Sequence, residues 1–117
     1  MRSRAPNMSN PHRTYYDNGQ IEREEYRVSA KHSIRWKTDF HREDAPAYIE
    51  WYENGQKEYE AYLAHGKWHR ADGPARTWWN EDGTIIAQEF WLDDDEVSVY
   101  DVLGDTPEAF AWVMTYE

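Results

Sequence analysis

Two stretches of this chain align without a gap at an offset of 28 residues, and no other feature restricts its fold so tightly. His41-Arg42-Glu43-Asp44-Ala45-Pro46-Ala47 matches His69-Arg70-Ala71-Asp72-Gly73-Pro74-Ala75. Further on, Trp51 falls on Trp79, Asn54-Gly55 on Asp82-Gly83, Tyr62 on Phe90 and Leu63 on Trp91. A third copy lies upstream at an offset of 36: Tyr15-Tyr16-Asp17-Asn18-Gly19-Gln20 matches Trp51-Tyr52-Glu53-Asn54-Gly55-Gln56, and Tyr26 matches Tyr62. The additional residues of that unit fall in an insertion around Ala30 to Phe40. Repeats of this length are supersecondary units that bury their apolar face only against neighbours. His12-Arg13 looks like the later His-Arg pairs, but in this register it aligns with Tyr48-Ile49, so the likeness is coincidental.

Each unit reads as strand, turn, strand, because Asn-Gly or Asp-Gly between β-branched and aromatic residues is a strong hairpin signal. A two-residue loop at Asn54-Gly55 sets Trp51 opposite Glu58 and Ile49 opposite Glu60. A three-residue loop, with Gly55 left-handed in a bulge, sets Trp51 by Lys57, Ile49 by Tyr59 and Ala47 by Ala61. The second register is preferred, since it gathers Ala47, Ile49, Trp51, Tyr59, Ala61 and Leu63 on one face. The other face then holds Tyr48, Glu50, Tyr52, Glu58, Glu60 and Tyr62. His65-Gly66 is a further turn, and Asp93-Asp94-Asp95 stands where its counterpart should fall. Val97, Val99 and Val102 predict one more short strand. Thr106-Pro107-Glu108 is a helix start, and Ala109 to Tyr116 would present Phe110, Val113 and Met114 as an apolar stripe.

The expected fold is therefore mainly β: an antiparallel sheet of about three hairpin repeats, with a short C-terminal α-helix capping one end. Residues 1–10 are polar, lack a signal-peptide core and read as a loose tail, with Met8 a second candidate start. Residues 11–117 read as one domain, with units at about 11–40, 41–68 and 69–96 and an acidic, helical end at 97–117. Seven Trp, nine Tyr and three Phe supply the buried area that 39% hydrophobic content alone would not.

Charge is divided sharply. Residues 1–76 hold 12 acids and 13 bases, whereas residues 77–117 hold 11 acids and no Lys or Arg. An acid-only end fits a basic partner and opposes direct binding to nucleic acid or to anionic lipid. No apolar run is long enough for a membrane span, and the chain has no cysteine. A reducing cytoplasm suits such a chain.

The Tyr-Tyr-Asp-Asn-Gly-Gln and Trp-Tyr-Glu-Asn-Gly-Gln segments resemble the degenerate MORN-type repeats of bacterial proteins labelled antitoxin-like. The His-Arg-x-Asp-Gly-Pro-Ala connector is similar to a repeat of small phage and giant-virus proteins. The resemblance covers roughly residues 11–100 and implies an elongated, hairpin-built sheet used for interaction, with no shared catalytic residues. It departs at the first unit, which lacks the Asp-Gly-Pro connector, and at Ala45, where Gly is usual.

His41, His65 and His69 with Asp44 and Asp72 form the one constellation that suggests a metal or an acid–base site. Their recurrence points instead to connectors, so His41, Arg42, Asp44, His69, Arg70 and Asp72 are read as structural, and no catalytic, metal or cofactor residue is assigned. The chain has no nucleophile elbow, phosphate-binding glycine loop or zinc-like spacing. Glu58 and Glu60, like Glu22 and Glu24, stand two residues apart, which on a strand is one face at ~6.7 Å. With Asp93, Asp94, Asp95 and Glu96, and with Tyr52 and Trp78 as aromatic anchors, they could imitate a line of phosphates. The expected function is non-catalytic binding to a basic nucleic-acid-binding protein or complex. Its most concrete form is a phage- or mobile-element-type inhibitor, such as an anti-CRISPR or antitoxin-like factor. The alternatives are a structural or assembly module, with an unpaired sheet edge available for a homodimer, and a small metal-dependent or acid–base enzyme using the repeated His and Asp residues.

Overall fold

Strands are the main regular element in a computed structural model that describes residues 11–27 and 40–116. In chain order they are β1 (His12–Tyr15), β2 (Ile21–Glu25), β3 (Tyr48–Trp51), β4 (Lys57–Ala61), β5 (Leu63–Ala64), β6 (Lys67–Trp68), β7 (Arg76–Trp79), β8 (Ile85–Leu92) and β9 (Asp95–Val97). Two helices follow, α1 (Val99–Leu103) and α2 (Pro107–Tyr116). Seven strands form one antiparallel sheet in the order β1-β2-β3-β4-β7-β8-β9, and β5 and β6 form a separate small hairpin. The fold is the mainly-β repeat sheet with a C-terminal helix that the sequence predicts. The expected tail at 1–10 and nearly all of the Ala30–Phe40 insertion lie outside the described residues.

The three large hairpins, β1-β2, β3-β4 and β7-β8, close identically. Tyr52 N–H donates to Gln56 O at 2.8 Å and Gly55 N–H to Tyr52 O at 3.0 Å, and the same pair recurs at Tyr16/Gly19 and Asn80/Gly83. Gly19, Gly55 and Gly83 all have φ near +90°, which glycine adopts without a Cβ penalty. The three-residue loop is therefore correct, and Trp51 does pair with Lys57. One step later a second irregularity skips Glu58, so that Glu50 pairs with Tyr59, Ile49 with Glu60 and Tyr48 with Ala61. The register slips by one residue, which exchanges faces for everything beyond it. The predicted split into an apolar and a charged face is corrected accordingly. Skipped residues recur at Glu22 and Ile86, so the bulge belongs to the repeat.

Both faces are consequently mixed. One carries the row Glu24, Ile49, Glu60, Thr77 and Gln88, of which the first four are buried. The opposite face carries Arg23, Glu50, Tyr59 and Trp78, next to Glu25, Tyr48, Ala61 and Arg76. There the rings of Phe40, Tyr48, Tyr59 and Trp78 succeed one another at 5.7, 5.9 and 5.1 Å. The Arg76 guanidinium lies over Trp68 at 4.1 Å and Trp78 at 4.7 Å. Stacked arginines let a polar chain bury aromatic surface without isolating a charge.

Among the described residues two apolar clusters hold the fold. Phe40, Ala47, Ala61 and Leu63 form the first, flanked by Tyr26, Tyr48, Tyr59 and Trp68. Phe90, Val99 and Ala109 form the second, where both helices meet β8. The predicted strand through Val99 and Val102 is corrected here. Only Val97 is in a strand, and Ser98 opens α1 through a capping box with Asp101, the side-chain exchange that favours a helix start. Thr106 caps α2 as expected, its hydroxyl accepting from Ala109 N–H at 3.1 Å. The predicted stripe is also corrected: Ala109, Trp112 and Val113 face the core, whereas Phe110 is 60% and Met114 69% exposed.

Burial raises the ionisation of Tyr16, Tyr48, Tyr52, Tyr59 and Tyr62 above the ordinary phenol range, reinforced at Tyr48 by its hydrogen bond to Glu50. A group whose folded pKa is raised contributes stability that is complete below its unfolded value, about 10 for tyrosine, and is lost as pH rises through the folded value. Near-UV titration should therefore show these phenols ionising above that range and together with unfolding. Nine tyrosines titrating alike with the sheet intact would contradict the packing.

Candidate partner-binding surface

The hairpin tips are fastened to one another by two donors per unit. Tyr16 Oη donates to the Trp51 carbonyl at 2.6 Å, and Tyr52 Oη to the Trp79 carbonyl at 2.7 Å. Asn18 Nδ2 donates to the Glu53 carbonyl at 3.2 Å, and Asn54 Nδ2 to the Glu81 carbonyl at 2.9 Å. Each asparagine also accepts, through Oδ1, from the N–H two residues on, Gln20 or Gln56. A side-chain amide can do both. In the last hairpin the counterparts are Asn80 and Asp82. Asp82 accepts from Thr84 N–H and Oγ1, which holds its carboxyl below the usual range, but a carboxylate has nothing to donate forward. These donors were missed by reading the aromatics as packing. The signal was present in the recurrence of Tyr and Asn at the tip and their loss from the final unit.

The connectors are equally repetitive. Arg42 lies 3.8 Å over Tyr26 and donates to the Pro46 carbonyl, and Arg70 lies 4.0 Å over Tyr62 and donates to the Pro74 carbonyl. His41 Nδ1 accepts from His65 N–H at 3.0 Å, and His69 Nδ1 from Asp93 N–H at 3.1 Å. Both imidazoles thus pin a tight turn that has consecutive left-handed residues: His65 and Gly66 in one case, Asp93 and Asp94 in the other. Ala45 does not loosen its loop, since Arg42 keeps both contacts. Asp72 accepts from Arg70 Nε at 3.0 Å, and Asp44 takes φ +63°. The fold does bring His41, Arg42, Asp44, His69, Arg70 and Asp72 to one cleft of about 520 Å³. Among the described residues no group of three or more His, Asp or Glu side chains is arranged to hold a metal.

The eight residues predicted to meet a partner do not form one surface. Glu60 is buried and bonded to Lys57 Nζ at 2.9 Å. Glu58 occupies the bulge, where burial, then Glu50 and Glu81, lift its carboxyl above the usual range, so Glu58 and Glu60 do not line up on a strand face. Tyr52 is committed to Trp79, and Trp78 packs on Tyr59 beneath Arg76. Asp93 to Glu96 remain exposed, Asp93 and Asp94 in the β8-β9 turn and Asp95 and Glu96 at the start of β9. Asp93 and Asp94 also shape that turn, since Asp94 Oδ1 accepts from Trp68 N–H at 2.9 Å and Asp93 lies beside His69. Beyond it, Tyr100, Phe110, Met114 and Tyr116 are exposed apolar groups on helices that also carry Asp101 and Glu108. The C-terminal region therefore offers carboxylates and large apolar side chains together, the composition of an interaction surface.

Among the described residues no helix is long and apolar enough to cross a membrane. Comparison with curated proteins and with solved structures yields no match. A family model described as MORN repeat variant matches residues 10–28 and 47–65. Those stretches contain β1-β2 and β3-β4, the two hairpins whose tips donate forward, and they exclude β7-β8, whose tip does not. The chain carries MORN-type repeats.

Proposed function

We propose that the chain is a non-catalytic binding module whose C-terminal end engages a basic protein surface. The observation that carries this reading is the base-free stretch from Thr77 to Glu117, folded so that Asp93 to Glu96 and the Phe110–Met114 pair stay exposed. Carboxylates steer a basic partner and set orientation, while the apolar pair supplies buried area on contact. A partner that handles nucleic acid has the required charge. Occupying its basic channel would block it sterically, which is the antitoxin-like or anti-CRISPR mode. The repeat sheet is the rigid platform that holds this end in place.

The test is capture of a partner from bacterial lysate, followed by affinity measurement at low and high salt. Asp95→Lys with Glu96→Lys, which leaves the turn residues untouched, should weaken binding by about tenfold or more. Phe110→Ser with Met114→Ser should do the same without lowering thermal stability. Binding to an acidic partner, or affinity indifferent to salt and to both variants, would refute the proposal.

A further inference from the structure

The fastening of the hairpins has a direction. Each tip reaches toward the C-terminus: Tyr and Asn donate to two carbonyls of the next hairpin, and the following Gln lies over its glycine. A Cβ built at Gly55 would meet Gln20 Oε1 at 3.6 Å, and one at Gly83 would meet Gln56 Oε1 at 3.4 Å. The last hairpin has Asn80, Asp82 and Thr84 where the donors stood, and the helices pack beside it. The sequence closes the stack at that end.

The first hairpin is different. Tyr15 and Asp17 hold the positions of Trp51 and Glu53, whose carbonyls receive the forward donors, and among the described residues no side chain donates to either. A Cβ at Gly19 would meet nothing within 4 Å. Tyr15 is 56% exposed, whereas Trp51 and Trp79 are half-buried. β1 is an edge of the sheet. Tyr16 N–H is committed to Gln20, and groups alternate along an antiparallel strand, so the backbone of Arg13 and Tyr15 is directed outward.

We propose that this edge is a docking site for a β-hairpin of another polypeptide bearing the same Tyr-x-Asn-Gly-Gln donor set. The receiving groups specify that occupant: two carbonyls at the spacing the donors already span twice, a glycine for the glutamine, and an open strand for pairing. Charge agrees. The strand preceding each later unit places Glu24 opposite Ile49 and Glu60 opposite Thr77, and the counterpart of those two residues on β1 is Arg13. An incoming glutamate would face a guanidinium that already pairs through Nε with Glu24 and keeps its terminal nitrogens for a second carboxylate. A second copy cannot fill the role head to tail, because its last hairpin lacks the donors.

A peptide with the sequence of residues 47–75 is the probe, added to the full isotopically labelled chain. Amide signals of Arg13, Tyr15 and Gly19 should shift, and exchange at Arg13 and Tyr15 should slow by about tenfold or more. The same peptide with Tyr52→Phe and Asn54→Ala should do neither. Since a free peptide pays an ordering cost, a chimera carrying those 29 residues directly before His12 provides the second measurement; His12 is the counterpart of Arg76, which follows Ala75. Its thermal midpoint should exceed that of the native chain and fall back when the added donors are removed. Unchanged exchange at Arg13 and Tyr15 in the chimera would overturn the proposal. So would a native dimer, seen by sedimentation, that already protects β1.

Discussion

Phe90→Ala should lower the unfolding free energy by about 3–5 kcal/mol, while Phe110→Ala should change it by less than about 0.5 kcal/mol. The two residues have the same side chain and differ in surroundings. Phe90 is 3% exposed and touches Val99, Ala109 and Trp112, whose ring meets it edge-on at 5.0 Å. Truncation leaves a cavity that the sheet backbone on one side cannot collapse to fill. The loss falls on the helices first, because α1 and α2 are too short to persist undocked and this cluster is their main hold on the sheet. Urea unfolding followed by circular dichroism checks both variants. Equal costs would mean that the helices do not pack on β8 as described.

Tyr52→Asn should cost about 1–2 kcal/mol. It removes a hydrogen bond worth about 1 kcal/mol from a half-buried ring and leaves the Trp79 carbonyl without its donor. Asparagine is not intrinsically unsuitable at this position, since Asn80 stands at the equivalent place in the last hairpin and closes an identical loop. What differs is whether another hairpin follows.

The architecture was readable because its signals are local or exactly repeated. Asn-Gly and Asp-Gly marked the loops, left-handed glycines closed them, and Thr106-Pro107-Glu108 started a helix where expected. The register was not readable beyond the loop. Glu58 and its counterpart Glu22 are glutamates whereas Ile86 is apolar, so no one residue type announces the bulge; it is set by strand pairing with neighbours. That one skipped residue moved Glu60 from a presumed open acidic face to a buried position beside Lys57. The helix stripe failed for a related reason. Phe110, Trp112, Val113 and Met114 are all apolar enough to face a core, and the position of Phe90 and Val99 decides among them. Recurrence suggested a connector role for the His-Arg pairs, but nothing in it indicated that Tyr26 and Tyr62 lie under Arg42 and Arg70. The exposed carboxylates of Asp93 to Glu96 were anticipated, but not that two of them also build the turn.

The central claim is that hairpin tips are fastened forward, unit to unit, and that the stack is closed at its last tip. Tyr52→Asn and Asn80→Tyr make the same exchange in opposite directions at equivalent positions, so their unfolding free energies, measured side by side, test it most directly. The expected result is asymmetric: a loss of about 1–2 kcal/mol for Tyr52→Asn, and a change within about 0.5 kcal/mol for Asn80→Tyr, which has no following carbonyl to reach. A gain from Asn80→Tyr as large as the loss from Tyr52→Asn would show that tyrosine stabilises its own hairpin, and would contradict the forward fastening.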